Sequence, residues 1–528
     1  MTRRMLFSAL LSLALSPTAL AISSSETRSS RCDGMYQFTD LDHAVEPGVV
    51  VAGSEGSPAY CRVRGVIDGT IRFEVTMPLE GWQGRLMFHA LGGSAGRIGD
   101  TTSLLGEGFA MASTDTGHET DPVEGDAFFR DQNALINFGS RGIRLTTLAA
   151  KRIIAAFYDD EIDHAYIWGC STGGRAGLEE ALRYPDDYDG VIAGAPAPGW
   201  ASELLSWSLA GARAQQANPL TLESLGLLDA NSRTRCDLLD DVADGVIGRP
   251  DLCTTEALEL EALLCDDGQT KDCLAQGQLE TVRFMYGGIT DESGRVVSHG
   301  VSPGAESMGD WMLWVTGNPD FMPVSAQVGS SAIIEHLLHR APGFKLDDFD
   351  VVNDRHLLAE AAASAELPRG NFTQFRESGG KLIVYNGWSD VPIRANRTLA
   401  YMADAAQLSG GPGKMAEFSR VYMVPGMLHC AGGPGAWAAD YLGPMIEWVE
   451  EGEAPSRIIA THPGITNWFE AAAAMQESAD WHTRVIRAGA KKGGINQFTR
   501  PLCPYPQYAQ YAGSGDVNDA VNFTCAEE

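Results

Sequence analysis

The sequence has no run long and apolar enough to cross a membrane. Its N-terminal apolar stretch, Met5 to Leu15, stops well short of the roughly 20 residues that a spanning helix needs. Positive charge is scarce: 39 lysines and arginines face 69 aspartates and glutamates, a net charge of −30. That balance argues against nucleic acid and anionic membrane surfaces as partners, and it suits a protein that binds a cation. No C-x2-C pair occurs among the ten cysteines, so spacing gives a zinc site no support. Internal repeats are missing too, which speaks against a calcium-dependent structural protein of the cell surface.

What is present is an ordinary globular composition, 44% hydrophobic and 20% charged, on 528 residues, enough for one large domain or two. Met1-Thr2-Arg3-Arg4, the short apolar stretch and Thr18-Ala19-Leu20-Ala21 read as a secretory signal over residues 1–21, cut after Ala21. The mature chain is then expected to be secreted or periplasmic. Ten cysteines in an exported chain predict disulfides, although sequence alone does not fix connectivity. Four pairs are neighbours along the chain: Cys32–Cys61, Cys236–Cys253, Cys265–Cys273 and Cys503–Cys525. Cys170 and Cys430 remain for each other.

The chemistry centres on Gly169-Cys170-Ser171-Thr172-Gly173. His164-Ala165-Tyr166-Ile167 before it reads as a buried strand, and Arg175 to Leu182 after it as a helix with apolar residues at helical spacing. G-x-S-x-G between strand and helix is a nucleophile elbow, where small residues flank a serine held on a tight turn. By itself the pentapeptide fits an incidental Gly-rich turn. Upstream, the strand Arg85 to Leu91 runs into Gly92-Gly93-Ser94-Ala95-Gly96, a loop suited to close backbone approach by a substrate oxyanion. Gly108 to Ser113 is the next strand, ending in Thr114-Asp115-Thr116-Gly117-His118. Asp115 and His118 precede the serine, the wrong order for this fold class, and read as structural or pocket-lining.

From Gly199 to Gly380 the strand–helix alternation fades, and Trp200, Trp207, Trp311, Trp314 and four cysteines appear, as in a lid inserted between core strands. Strands resume at Lys381 to Tyr385, ending in Asn386-Gly387-Trp388-Ser389-Asp390, and at Arg420 to Val424, ending in Pro425-Gly426-Met427-Leu428-His429-Cys430. Asp390 and His429 follow Ser171 in the order of a Ser…Asp…His triad. Cys170 and Cys430 adjoin the serine and the histidine, so the leftover cysteines and the triad candidates point to one place. Inside the lid, Asp237, Asp240 and Asp244 lie in a loop between Cys236 and Cys253. The spacing is not that of an EF-hand, and the pattern fits a solvated acidic loop as well as a calcium site.

Gly-Cys-Ser-Thr-Gly-Gly at 169–174, Gly-Trp-Ser-Asp at 387–390 and Val-Pro-Gly-Met-Leu-His-Cys at 424–430 resemble the tannase and feruloyl esterase family. Trp82-Gln83-Gly84-Arg85 and Tyr184-Pro185-Asp186-Asp187-Tyr188-Asp189-Gly190 resemble it too. The resemblance spans nearly the whole mature chain. It implies an α/β fold, an α/β-hydrolase core of residues 22–198 and 381–528, with a lid domain over 199–380. It implies a Ser171–Asp390–His429 triad with a disulfide between the flanking cysteines, and oxyanion donors at Thr172 and at Gly92 or Gly93. It also implies a structural Ca2+ in the lid, held by Asp237, Asp240, the carbonyl of Val242, Asp244 and the carbonyl of Val246, with no organic cofactor. Two positions depart from the family: Asp241 stands where a glycine is usual, and Ser94-Ala95 replaces a glycine–aromatic pair.

The expectation is a secreted serine carboxylesterase acting on small aromatic esters: hydroxycinnamates, gallates or related benzoates, free or attached to plant polysaccharide or polyphenol. Arg340, Arg355 and Arg369 are candidates to meet an acidic substrate group, or are solvated surface charges. The rivals are an acyltransferase or peptidase with the same triad, or a non-catalytic polyphenol- or carbohydrate-binding protein on a hydrolase scaffold.

Overall fold

Short runs of valine, isoleucine and aromatic residues alternate with helical segments, and hydrogen bonding between those runs builds one large sheet. The structure, a computed structural model, describes residues 24–54, 57–119, 127–317, 336–338, 350, 352–475, 482 and 497–527. The signal expected over residues 1–21 lies outside the described residues. Ten strands make the sheet: β1 (His43–Val45), β2 (Val49–Val51), β3 (Tyr60–Ile67), β4 (Ile71–Pro78), β5 (Arg85–Ala90), β6 (Phe109–Thr114), β7 (His164–Cys170), β8 (Gly190–Gly194), β9 (Lys381–Gly387) and β10 (Ser419–Val424). They lie in the order β1-β3-β4-β6-β5-β7-β8-β9-β10, with β2 paired to β3. Pairing is antiparallel as far as β4–β6, and parallel from β6 to β10. This is an α/β-hydrolase-like core, as the resemblance implied.

Alternation along the parallel strands splits the core into two layers. Leu86, Phe88, Ile167, Val191, Ala193, Leu382 and Val384 face one way. There they meet Ile143, Ala150, Ile153, Ile154 and Phe157 of helix α1 (Gly142–Tyr158) and Leu178 of helix α2 (Thr172–Arg183). Met87, Tyr166, Trp168, Ile192, Tyr385, Tyr422 and Val424 face the other way, against Trp200, Trp437 and Tyr441. Parallel strands bring their C-terminal ends to one edge of the sheet, and the loops after β5, β7, β9 and β10 all leave from that edge.

Strands β8 and β9 are direct neighbours, with Gly190 opposite Lys381, although the chain leaves the sheet at Gly194 and returns only at Lys381. The intervening segment has its own apolar cluster, including Trp207, Leu225, Leu228, Leu258, Leu279 and Trp311. It carries helix α3 (Leu222–Cys236), capped by the Thr221 hydroxyl on the Ser224 N–H. Helix α4 (Ala395–Leu408) follows the return to the sheet. The cysteines pair as expected: the four pairs near in sequence, 32 with 61, 236 with 253, 265 with 273 and 503 with 525, and the remaining two, 170 with 430. Among the described residues no helix is long and apolar enough to cross a membrane.

Candidate active site

Ser171 sits between β7 and α2 with φ 63° and ψ −126°, a conformation that costs an L-residue energy and that packing must hold in place. The elbow glycines show how it is held. A Cβ at Gly169 or Gly173 would strike the Ala90 carbonyl, and one at Gly174 would strike the Gly194 carbonyl. The serine N–H donates to Gly194 O at 2.9 Å, and Ser171 O accepts from Arg175 N at 2.9 Å, so the turn is tied on both sides. Ser171 itself is half-buried.

The loop after β5 lies against this turn. A Cβ on Gly92 would come within 2.8 Å of Cys170 O and 3.5 Å of the Ser171 Cβ, and Gly93 has φ +62°. Thr172 donates its hydroxyl to Gly93 O at 2.5 Å, which fixes the loop to the start of α2. Free N–H groups at a helix N-terminus and in an adjacent glycine turn are the donors that an oxyanion requires. Ala95 closes the turn with φ 51° and an N–H to Gly92 O at 3.2 Å.

Asp115 and His118 take structural parts. Asp115 Oδ1 accepts the N–H groups of Arg72 at 2.9 Å and Gly117 at 2.7 Å, and burial pushes its carboxyl up to about 6. His118 Nε2 lies 2.7 Å from Ser94 O while its ring stacks on Phe128 at 3.9 Å, bracing the glycine loop.

Asp390 and His429 come together at the ends of β9 and β10. The turn after β9 fits against the one after β10 because Gly387 has no side chain; a Cβ there would strike Met427 O. Ser389 N–H donates to Met427 O at 3.1 Å. Asp390 is fully buried, its Oδ1 accepting the Ile393 N–H at 2.7 Å and its Oδ2 lying 2.9 Å from His429 Nδ1. An ionised carboxylate only accepts, so Nδ1 carries the proton and Nε2 is left as the acceptor. Burial opposes charge on this imidazole. The Asp390 charge, its hydrogen bond and the nearby Asp310 charge outweigh burial, and the His429 pKa is raised.

The Cys170–Cys430 disulfide sets the residues next to serine and histidine 6.1 Å apart at Cα. Nε2 of His429 is 3.8 Å from Cys430 Sγ, and no hydrogen bond joins it to Ser171 Oγ in this structure. Such contacts are often long in unliganded enzymes and tighten with substrate. Two tryptophans also touch the histidine. Trp468 Nε1 donates to His429 O at 2.8 Å, and the Trp314 ring stands edge-on to the imidazole at 6.0 Å. Of the four tryptophans marked in the sequence, Trp200, Trp207 and Trp311 lie in apolar cores, while Trp314 faces the site.

Two buried groups carried no sequence signal. Asp310 bonds the backbone at Val391 and His429. His482 Nε2 lies 3.1 Å from Cys430 O. Of the arginine candidates, Arg340 lies outside the described residues, Arg355 opens a short helix, and Arg369 is exposed.

The acidic loop follows α3. Oδ1 of Asp237, Asp240 and Asp244 accepts the N–H of Gly245, Val242 and Val246 respectively, at 2.9–3.1 Å. The second oxygen of Asp244 accepts from Arg500 at 2.5 Å. Burial together with the Asp244 charge pushes the Asp240 carboxyl up to about 6 and the Asp237 carboxyl upward. Carboxylates are the donor chemistry a hard cation takes, and Arg500 supplies positive charge to one of these three. Among the described residues no three acidic, histidine or cysteine side chains converge at metal-ligand spacing. Asp241 adopts φ 64° and ψ 15°, a left-handed turn that aspartate tolerates better than most residues. A cavity of about 320 Å³ lies between this loop and the C-terminal strands, walled by Arg249, Arg500, Tyr508 and Phe523 and including neither Ser171 nor His429.

A sequence model described as tannase and feruloyl esterase matches residues 58–526. Mono(2-hydroxyethyl) terephthalate hydrolase of Piscinibacter sakaiensis is 30% identical, covering 90% of this chain and 86% of that protein. A probable feruloyl esterase B-2 of Aspergillus terreus is 28% identical, covering 92% and 90%. The crystal structure of an esterase from Aspergillus oryzae superposes with a TM-score of 0.80 at 25% identity, covering 94% of this chain and all of that one. With that match over most of its length and an elbow serine beside a buried Asp–His pair, the chain belongs to the tannase and feruloyl esterase family of carboxylic ester hydrolases.

Proposed function

We propose that the protein is an exported serine esterase that cleaves esters of aromatic acids through an acyl-enzyme. The observation that carries this reading is the 2.9 Å bond between Asp390 and His429, with the disulfide that joins the neighbours of His429 and Ser171. In this reading His429 Nε2 takes the Ser171 proton as Oγ attacks the ester carbonyl. The N–H groups of Thr172 and of Gly92 or Gly93 hold the oxyanion. The imidazolium, steadied by Asp390, protonates the departing alcohol. Water, deprotonated by the same imidazole, then adds to the acyl-enzyme, releasing the acid and restoring the serine.

Trp314 beside the imidazole supports an aromatic acyl group, since a ring edge favours another ring. The names of the relatives suggest ferulate-like or terephthalate-like acids, including esters carried on plant polysaccharide or polyphenol. Five disulfides support export to an oxidising compartment, secreted or periplasmic. A structural Ca2+ would be held by Asp237, Asp240 and Asp244 with the carbonyls of Val242 and Val246, neutralising carboxylates that otherwise repel one another.

The test is hydrolysis of methyl ferulate, methyl gallate, mono(2-hydroxyethyl) terephthalate and p-nitrophenyl acetate by wild type and Ser171→Ala. The substitution is expected to lower kcat by at least ~10³-fold on every ester cleaved. Preference for one aromatic ester names the acid. Folded wild type that cleaves none of the four would overturn the esterase reading.

A further inference from the structure

Asp310 comes from the segment inserted between β8 and β9 and is fully buried. Its Oδ2 is used twice, accepting the Val391 N–H at 3.0 Å and the His429 N–H at 3.2 Å. Val391 follows the triad acid, and His429 is the base, so one oxygen joins the loops after β9 and β10. The contact is packed from outside as well: the Val391 side chain belongs to the insertion's apolar cluster, along with Trp311. The other oxygen, Oδ1, is buried without a hydrogen-bond partner.

A carboxylate buried near a second carboxylate, with one oxygen unpaired, is costly, and such a group calls for an explanation. Asparagine would accept the same two N–H groups without the charge. What the carboxylate alone supplies is a second negative charge near the imidazole; burial and the Asp390 charge push the Asp310 carboxyl up to about 7, so that charge is carried in full only above that pH. We propose that Asp310 is a positioning residue of the Ser171–Asp390–His429 triad, delivered by the insertion to hold the acid and base loops in register and to place its charge beside the imidazolium. This role rests on the triad reading above. It also makes seating of the insertion a condition for a competent site. The charged groups that act on the imidazole are Asp390 from the loop after β9 and Asp310 from the insertion. Arg394, at the start of α4, acts on Asp390.

Full-length Asp310→Asn and Asp310→Ala, with wild type and Ser171→Ala, would be followed in two ways. One is the pH dependence of p-nitrophenyl acetate hydrolysis; the other is proton NMR titration of the His429 imidazole. Asp310→Ala loses both acceptor contacts and is expected to drop kcat about 100-fold while KM stays within about threefold. Asp310→Asn keeps an acceptor oxygen, so kcat stays within about tenfold. Its acid limb and the NMR titration both move to lower pH, because a charge that favours the imidazolium has gone. An NMR titration in Asp310→Asn that matches wild type overturns the role, whether or not kcat falls, since a purely structural carboxylate leaves the imidazole unmoved. If Asp310→Ala fails to fold, Asp310→Asn decides on the same readings. If wild type cleaves no ester, the esterase reading fails, and the NMR titration still judges Asp310.

Discussion

His429 is drawn two ways: burial disfavours its charged form, while Asp390 and Asp310 favour it, and the carboxylates win. In the proposed mechanism His429 is the general base and must be neutral to accept the serine proton, so activity is expected to fall as pH drops through this pKa. Because the pKa is raised, the loss begins above the ordinary imidazole value of about 6.5. For wild type, kcat/KM is expected to climb with pH through a midpoint above that value. Asp390→Asn removes the largest favourable influence and, with its amide oxygen kept on the Ile393 N–H, turns an NH2 donor toward Nδ1. It is expected to cut kcat by about 10⁴-fold and to move the remaining acid limb to lower pH. Rates measured from pH 5 to 9 check both; an acid limb at the same pH in the variant would mean that Asp390 does not set the histidine's charge.

The acidic loop after α3 is an element built under electrostatic load. Asp237, Asp240 and Asp244 fall within eight residues of sequence, the Cys236–Cys253 disulfide closes the loop, and Asp241 turns it through a left-handed conformation. Arg500 reaches Asp244 from the C-terminal strands, so the loop is also a junction between the insertion and the core. Calcium bound here would stabilise the folded chain by about 2–3 kcal/mol at a free concentration roughly 100-fold above its Kd. Dialysis of the whole protein against a chelator is therefore expected to lower Tm, with calcium restoring it and Asp240→Asn blunting the response. A Tm indifferent to chelator and to added calcium would remove the ion from the proposal.

Across the whole molecule, the Cys170–Cys430 disulfide closes a span of 260 residues that contains the entire insertion. By chain entropy such a closure contributes on the order of 5 kcal/mol, less whatever order the unfolded chain retains. The same bond joins the neighbours of Ser171 and His429, the proposed nucleophile and base. Replacing both cysteines by serine is expected to lower the denaturant midpoint and also kcat, the latter even where the variant is fully folded. Unfolding curves beside steady-state kinetics separate the two effects. Full kcat in the folded double variant would show that packing alone aligns the site.

Much of this architecture is local information. The elbow could be recognised because Gly169 and Gly173 leave no room for a Cβ, a demand visible as G-x-S-x-G between a strand and a helix. The order Ser171, Asp390, His429 followed from strands legible in β-branched and aromatic runs. The cysteine pairs followed because four are near neighbours and the remaining two adjoin triad residues. Asp115 and His118 are chemically as fit for catalysis as Asp390 and His429; their place before the serine marked them as structural or pocket-lining, and hydrogen bonding to Arg72, Gly117 and Ser94 shows what they hold. Asp310 was silent in the sequence because its partners are backbone N–H groups 81 and 119 residues away, and every residue but proline carries such a group. Trp314 could not be told from Trp311 by type or spacing; which of them meets His429 depends on how the insertion packs. The sequence by itself therefore determined the sheet, the turn that raises the serine and the chemistry available, because short-range sterics and periodicity are written residue by residue. Tertiary structure alone decided which acids and rings surround the histidine, because those contacts arise only when distant segments are packed against one another.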